Sequence, residues 1–191
     1  MNISKKEVDM YNPIILSLLV LNTNTHFDGP RVRTCQARYE PFSQEARTLF
    51  AEAASSADVP LSWAHSDGLH YILSNESGGM VGIPNYSIKD EDGKSVRDQP
   101  YLWPVIHERI RDGNKGSPKA SSSATGLGQL LPVNVDAYYP SGRNGIGDCR
   151  EEAEGMLRYI KATYGNPNTA WKCYGKLKPK QCPNKRFKEG Y

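Results

Sequence analysis

The sequence predicts a mainly α-helical domain with at most one small β hairpin. Three observations carry that prediction. Ala46, Leu49, Phe50, Ala53, Ala54 and Ala57 fall on one apolar stripe behind Ser43, a ready N-cap. Residues 148–164 repeat the pattern, with Ala153, Leu157, Ile160 and Tyr164 on one face. The hairpin signal is the Asp92-Gly93 turn with polar flanks in 89–98. At 191 residues, 38% hydrophobic and 24% charged, the chain has room for one well-buried domain plus an arm or tail.

In chain order, an apolar run at 13–21 (PIILSLLVL) comes first, too short to span a bilayer, which takes about 20 apolar residues. Lys5 and Lys6 precede it. Glu7, Asp9 and the lack of a small-x-small cleavage site favour a core element or docking arm over a signal peptide. Residues 22–41 are polar, broken by Gly29, Pro30 and Pro41, and read as a connector. The first helix ends before Pro60. A second runs from about Ser66 to Asn75 and stops at Gly78 and Gly79. Residues 80–123 are irregular, with a short helix after Pro104 and a loop at 115–123. Pro132 opens another short helix, closed by Pro140. Asp148 and Glu151 approach a capping box for the 148–164 helix, which Gly165 and Pro167 end. Asn168 is placed to cap a last helix, TAWKCY.

Charge and cysteines bound the function classes. A net charge of +3 does not argue for nucleic acid, and no recognition motif appears. Residues 172–191 hold six lysines and one arginine against Glu189, a tail suited to the polyanions of an envelope or to simple solvation. Cys35, Cys149, Cys173 and Cys182 allow three disulfide pairings, all open. There is no CxxC pair, and His26, His65, His70 and His107 lie at no metal-ligand spacing.

Three stretches suggest chemistry. In ILSNESGGMVG, Leu69, Ile72, Leu73 and Glu76 share one helix face. A carboxylate in the last turn meets the negative end of the helix dipole, and apolar neighbours desolvate it. Both effects favour the protonated form that a general acid needs near neutral pH. The competing reading is a glutamate turned to solvent at a helix end. In ASSSATGLGQLLP, Gly126 and Gly128 would let backbone approach an extended ligand, and the Gln129 amide both donates and accepts. A plain turn into the Pro132 helix has the same composition. In 154–174, Tyr159, Tyr164, Trp171 and Tyr174 suit a sugar-lining groove or a helical core, with Tyr164 assigned to the core.

In this order, Glu76-Ser77, then Ser123-Ala124-Thr125-Gly126-Leu127-Gly128-Gln129, then Tyr159-Ile160 and Ala170-Trp171 resemble one family. It is the soluble lytic transglycosylase domain of the lysozyme superfamily, in the compact form of phage-associated murein-cleaving enzymes. The resemblance covers about 42–174. Two departures stand out. The 49 residues between Glu76 and Gly126 are about twice the family's usual number or more, so 80–120 reads as an insertion. The segment AWKCY replaces A-Y-N, so the tyrosine and asparagine that brace the acid in those members have no direct counterparts; Tyr159 and Tyr174 are the candidates for that place.

The resemblance implies an α+β lysozyme-like catalytic domain at 42–175, an arm at 1–41 and a basic tail at 176–191. It implies cleavage of the β-1,4 bond between N-acetylmuramic acid and N-acetylglucosamine in peptidoglycan, outside the cytoplasm or from a virion, without cofactor or metal. Glu76 would be catalytic, with Ser77, Ser123, Gly126, Leu127, Gln129, Tyr159 and Trp171 binding substrate. Goose-type lysozymes share the architecture but use water, which Asp90, Asp92 and Asp98 of the insertion would position. A non-catalytic glycan-binding or virion structural protein is the third reading, and the intact acid argues against it.

Overall fold

Caps and apolar stripes account for most of the helices. The computed structural model describes residues 34–174 and Cys182; the run at 13–21 and the tail at 176–191 lie outside the described residues. Helix α1 (Gln44–Ser56) starts where the Ser43 side chain accepts from the Ala46 N–H, and it buries Ala46, Leu49, Phe50, Ala53 and Ala54. Helix α2 (Asp67–Glu76) begins after Ser66, which makes no side-chain cap within its own helix. Asn168 serves instead: its Oδ1 accepts from the Ser66 hydroxyl at 3.0 Å and from the Gly68 N–H at 3.3 Å. Helix α5 (Cys149–Tyr164) is capped by Asp148, which accepts from the N–H groups of Arg150 and Glu151. The Glu151 carboxylate does not close a capping box. It accepts from the Ser141 N–H and hydroxyl.

Three shorter α-helices complete the α set among the described residues, which also hold four 3-10 turns: α3 (Trp103–Arg111), α4 (Pro132–Tyr138) and α6 (Pro167–Cys173). Pro167 opens α6 as well as following α5, because a proline in the first turn loses no helical hydrogen bond. Asn166, not Asn168, is its N-cap, accepting from the Thr169 N–H at 2.8 Å. The fold is mainly helical, and among the described residues pairing between extended segments is limited to isolated bridges, including Lys89 with Ser95 at the Asp92-Gly93 turn and Pro84 with Thr125.

Two apolar cores form. The larger gathers Leu49, Phe50, Leu69, Ile72, Leu73, Leu127, Met156, Leu157 and Ile160, with α1 packed along α5 and α2 along α6. The smaller holds Ile88, Val96, Ile106, Ile110, Leu130, Val135, Tyr139 and Ile146, so the inserted segment and α4 have a core of their own. Tyr159 packs against both. Residues 35–41, a connector by composition, belong to the fold. Tyr39 is buried in the larger core, and Cys35 is bonded to Cys149 at the start of α5. That bridge spans 114 residues, and closing a loop of this size stabilises by about 4–5 kcal/mol in the chain-entropy picture. The second bridge joins Cys173 and Cys182.

Candidate active site

The apolar stripe of α2 carries Glu76 inward. Its neighbours on that face, Leu69, Ile72 and Leu73, are fully buried, and Glu76 itself is 9% exposed. Ser77 ends the helix: its hydroxyl donates to the Leu73 carbonyl at 3.3 Å and accepts from the Gly79 N–H at 3.0 Å. Gly79 is required where it stands, because a Cβ there would lie 1.8 Å from the Tyr39 carbonyl oxygen. Gly79 thus packs against the backbone of residues 39–40, with Gly78 beside the Arg38 guanidinium.

The surroundings of Glu76 favour its protonated form. One carboxyl oxygen, Oε1, has no hydrogen-bond partner, and the Tyr174 hydroxyl donates to the carboxyl. Burial raises its pKa from 4.5 to about 7, against a smaller opposing pull from Tyr174 and then from the charge of Arg97. The same carboxylate acts on Tyr159, Tyr164 and Tyr174, whose hydroxyls are all shifted upward, chiefly by burial; Tyr174 reaches about 12. An aromatic chain supports this corner. Phe42 meets Tyr71 edge-on, Tyr71 stacks on Trp171 with centroids 5.0 Å apart, and Trp171 stacks on Tyr174 at 5.6 Å. From the other side, Tyr138 meets Tyr159 edge-on at 5.6 Å. Glu76 therefore sits at the seam of the two cores, with α5 and α6 aromatics on one side and the inserted segment on the other.

The glycine-rich element is turned inward. Leu127 is fully buried, and Gln129 is 6% exposed with a positive φ of 46°. The Gln129 amide nitrogen donates to the carbonyls of Ile83 at 2.8 Å and Gly126 at 3.2 Å, and its oxygen accepts from Asn85 at 3.3 Å. A second buried glutamate organises this region. Glu152 of α5 accepts from the N–H groups of Gly147 (2.8 Å), Leu127 (2.9 Å) and Gly82 (3.0 and 3.1 Å to its two oxygens). Complete burial pushes its pKa up to about 7, against those three donors. His107 donates from Nε2 to the Gly82 carbonyl, which also accepts from the Thr125 hydroxyl. The turn at 82–85, the 125–130 element and α5 are thereby tied into one unit.

The sequence-derived site residues divide accordingly. Glu76, Tyr159 and Trp171 come together, Trp171 through its stack on Tyr174. Ser77, Gly126, Leu127 and Gln129 are buried, and the Ser77 hydroxyl and Gln129 amide are spent on the chain's own backbone. Ser123, half-buried, accepts from the Gly116 N–H at 3.4 Å. Asp90 is committed to its own turn, accepting from Gln99 at 2.7 Å and the Lys94 N–H at 2.8 Å. Asp92 pairs with Lys94, and Asp98 is exposed. None of these three acids is among the groups acting on the Glu76 carboxyl. The insertion reaches Glu76 instead with Arg97, whose Nη2 donates to the Glu76 backbone carbonyl at 3.1 Å. A cavity of about 760 Å³ between the 89–96 turn and α3 is lined by residues such as Asp90, Val96, Ile106 and Arg109, and not by Glu76.

Arg97 and Glu152 are the residues that pattern reading missed; Tyr174, one of the two candidates for the brace, is the tyrosine whose hydroxyl donates to the Glu76 carboxyl. Glu152 had a signal. It lies four and eight residues before Met156 and Ile160 on a buried helix face, as Glu76 lies four and three after Ile72 and Leu73. No family model, curated protein or solved structure matches this chain. The reading of its chemistry therefore rests on the site itself.

Proposed function

We propose that this chain is a peptidoglycan-cleaving glycosidase of the lytic transglycosylase type, with Glu76 as its single catalytic carboxyl. The observation that carries the reading is the state of that group. It is a buried carboxyl, pushed up to about 7, with Oε1 unpartnered and Tyr174 bracing the group. At neutral pH such a group holds a proton for a good fraction of the time, where an ordinary glutamate holds almost none.

In the proposed reaction Glu76 gives its proton to the glycosidic oxygen as the C1–O bond breaks and the leaving sugar takes the bonding electrons. The resulting carboxylate then takes the proton of the muramic C6 hydroxyl while that oxygen bonds to C1, closing a 1,6-anhydro ring. One carboxyl serves both steps because the nucleophile is already attached, an arrangement equivalent to an effective concentration on the order of 10⁵ M or more. The goose-type alternative needs a second carboxylate to hold water; Asp90, Asp92 and Asp98 are not among the groups acting on Glu76. The two disulfides are consistent with work in an oxidising compartment, on the wall side of the membrane. Among the described residues no helix is long and apolar enough to cross a membrane.

Digestion of purified peptidoglycan with mass analysis of the fragments tests the reading. Anhydro ends, lighter by one water, are expected; reducing ends would assign hydrolysis instead. Glu76→Gln should lose activity by about 10²–10⁴-fold while keeping its helical signature. Undiminished wall clearing by that variant would remove Glu76 from the chemistry.

A further inference from the structure

The inserted segment holds one side chain against the candidate acid, and it holds it on a rigid mount. Val96 is 1% exposed, in the smaller core. Its N–H donates to the Ile88 carbonyl at 3.1 Å, and its carbonyl accepts from the Trp103 indole at 3.0 Å and the Gln99 N–H at 2.9 Å. The next residue, Arg97, therefore leaves a fixed backbone to reach the Glu76 carbonyl. That carbonyl is one of the last four of α2, which lack helical donors, and it lies at the negative end of the helix dipole. The adjacent Asp98 forms no ion pair with Arg97 among the described residues. The titratable and charged groups that face the Glu76 carboxyl are Tyr159 and Tyr164 from α5, Tyr174 after α6, and Arg97. Arg97 is the cation of that set.

A carboxyl that must donate a proton and then act as a base has two opposed needs. Burial serves the first and opposes the second, since it disfavours the ionised form. A guanidinium on the backbone of the same residue offsets that cost in the ionised state, without taking the proton. We propose that Arg97 is a positioning residue for Glu76, through which the inserted segment fixes the last turn of α2 and stabilises the carboxylate left after proton donation. This rests on the reading of Glu76 as the general acid.

The test follows the Glu76 carboxyl directly by ¹³C NMR titration of the full chain, its signal assigned by its absence in Glu76→Gln. Wild type, Arg97→Gln and Arg97→Lys are compared, with wall-clearing rates measured over the same pH range. In Arg97→Gln the titration midpoint should rise by about half a unit or more, and the alkaline limb of the rate should rise with it. Arg97→Lys, which keeps the charge, should bring back at least half of that displacement. A folded Arg97→Gln whose midpoint does not move overturns the proposal. So does Arg97→Lys with a midpoint half a unit or more above that of wild type, a comparison that needs no glutamine variant and keeps the test decisive if that variant fails to fold. A wild type that titrates as expected yet clears no wall overturns the lytic reading and leaves the action of Arg97 on Glu76 standing. A wild type that clears walls with a midpoint indifferent to Arg97 does the reverse.

Discussion

Glu76 and Glu152 are both glutamates on apolar helix faces, both buried, and both pushed up to about 7 by burial. Their surroundings differ. Glu152 receives three backbone N–H groups from three separate segments, and its lone pairs are committed to holding 82, 127 and 147 together. Glu76 receives the Tyr174 hydroxyl, and its Oε1 receives nothing. The first is a junction; the second keeps an oxygen free, as the proposed role of general acid requires. Burial alone does not tell a structural carboxyl from a reactive one; the count of fixed donors around it does.

Breaking the junction should have the largest effect. Glu152→Ala leaves the buried N–H groups of Gly82 and Leu127 without an acceptor, at about 1–3 kcal/mol each, while the exposed Gly147 N–H turns to water. The expected loss is about 3–5 kcal/mol, a large share of an ordinary domain's stability, read as a fall in the thermal midpoint of about 10 °C or more. Glu76→Gln should act in the opposite direction. The folded-state pKa of Glu76 is raised, so its contribution to stability is full below about pH 4.5 and is lost as the pH rises through about 7. The glutamine variant cannot ionise. In denaturant titrations it should match wild type near pH 4 and exceed it by about 2 kcal/mol above pH 7. An equal or lower stability at pH 8 would mean that Glu76 is solvated and the contrast with Glu152 is false. Tyr174→Phe should give the smallest change. It removes a donor that favours the ionised form, so the Glu76 midpoint rises while stability falls by about 1 kcal/mol or less.

Much of this was readable from residue order. The α1 and α5 stripes, the Ser43 and Asp148 caps and the Asp92-Gly93 turn follow from local chemistry, and all stand where composition puts them. Glu76 was readable too, because a carboxylate in an apolar stripe conflicts with its own neighbourhood. What could not be read depends on partners distant in the chain. Asn168 looks like a local cap and serves α2, 100 residues earlier. Gln129 looks like an open amide and is spent on Ile83 and Asn85, 46 and 44 residues away. Arg97 lies in a polar stretch with no periodicity, and only the fold brings it to Glu76.

Gly126 shows how such distant pairing shapes what a sequence can tolerate. Its φ is +77°, and a Cβ there would lie 2.7 Å from the Glu152 carboxyl carbon. The glycine is thus an imprint of a side chain 26 positions later. Divergence at 126 is closed for as long as Glu152 is kept, and losing Glu152 alone forfeits the junction it holds. The two sites form one unit of inheritance. In a library randomised at both positions, survivors lacking glutamate at 152 should be the ones that admit asparagine at 126, the side chain that best tolerates this positive φ.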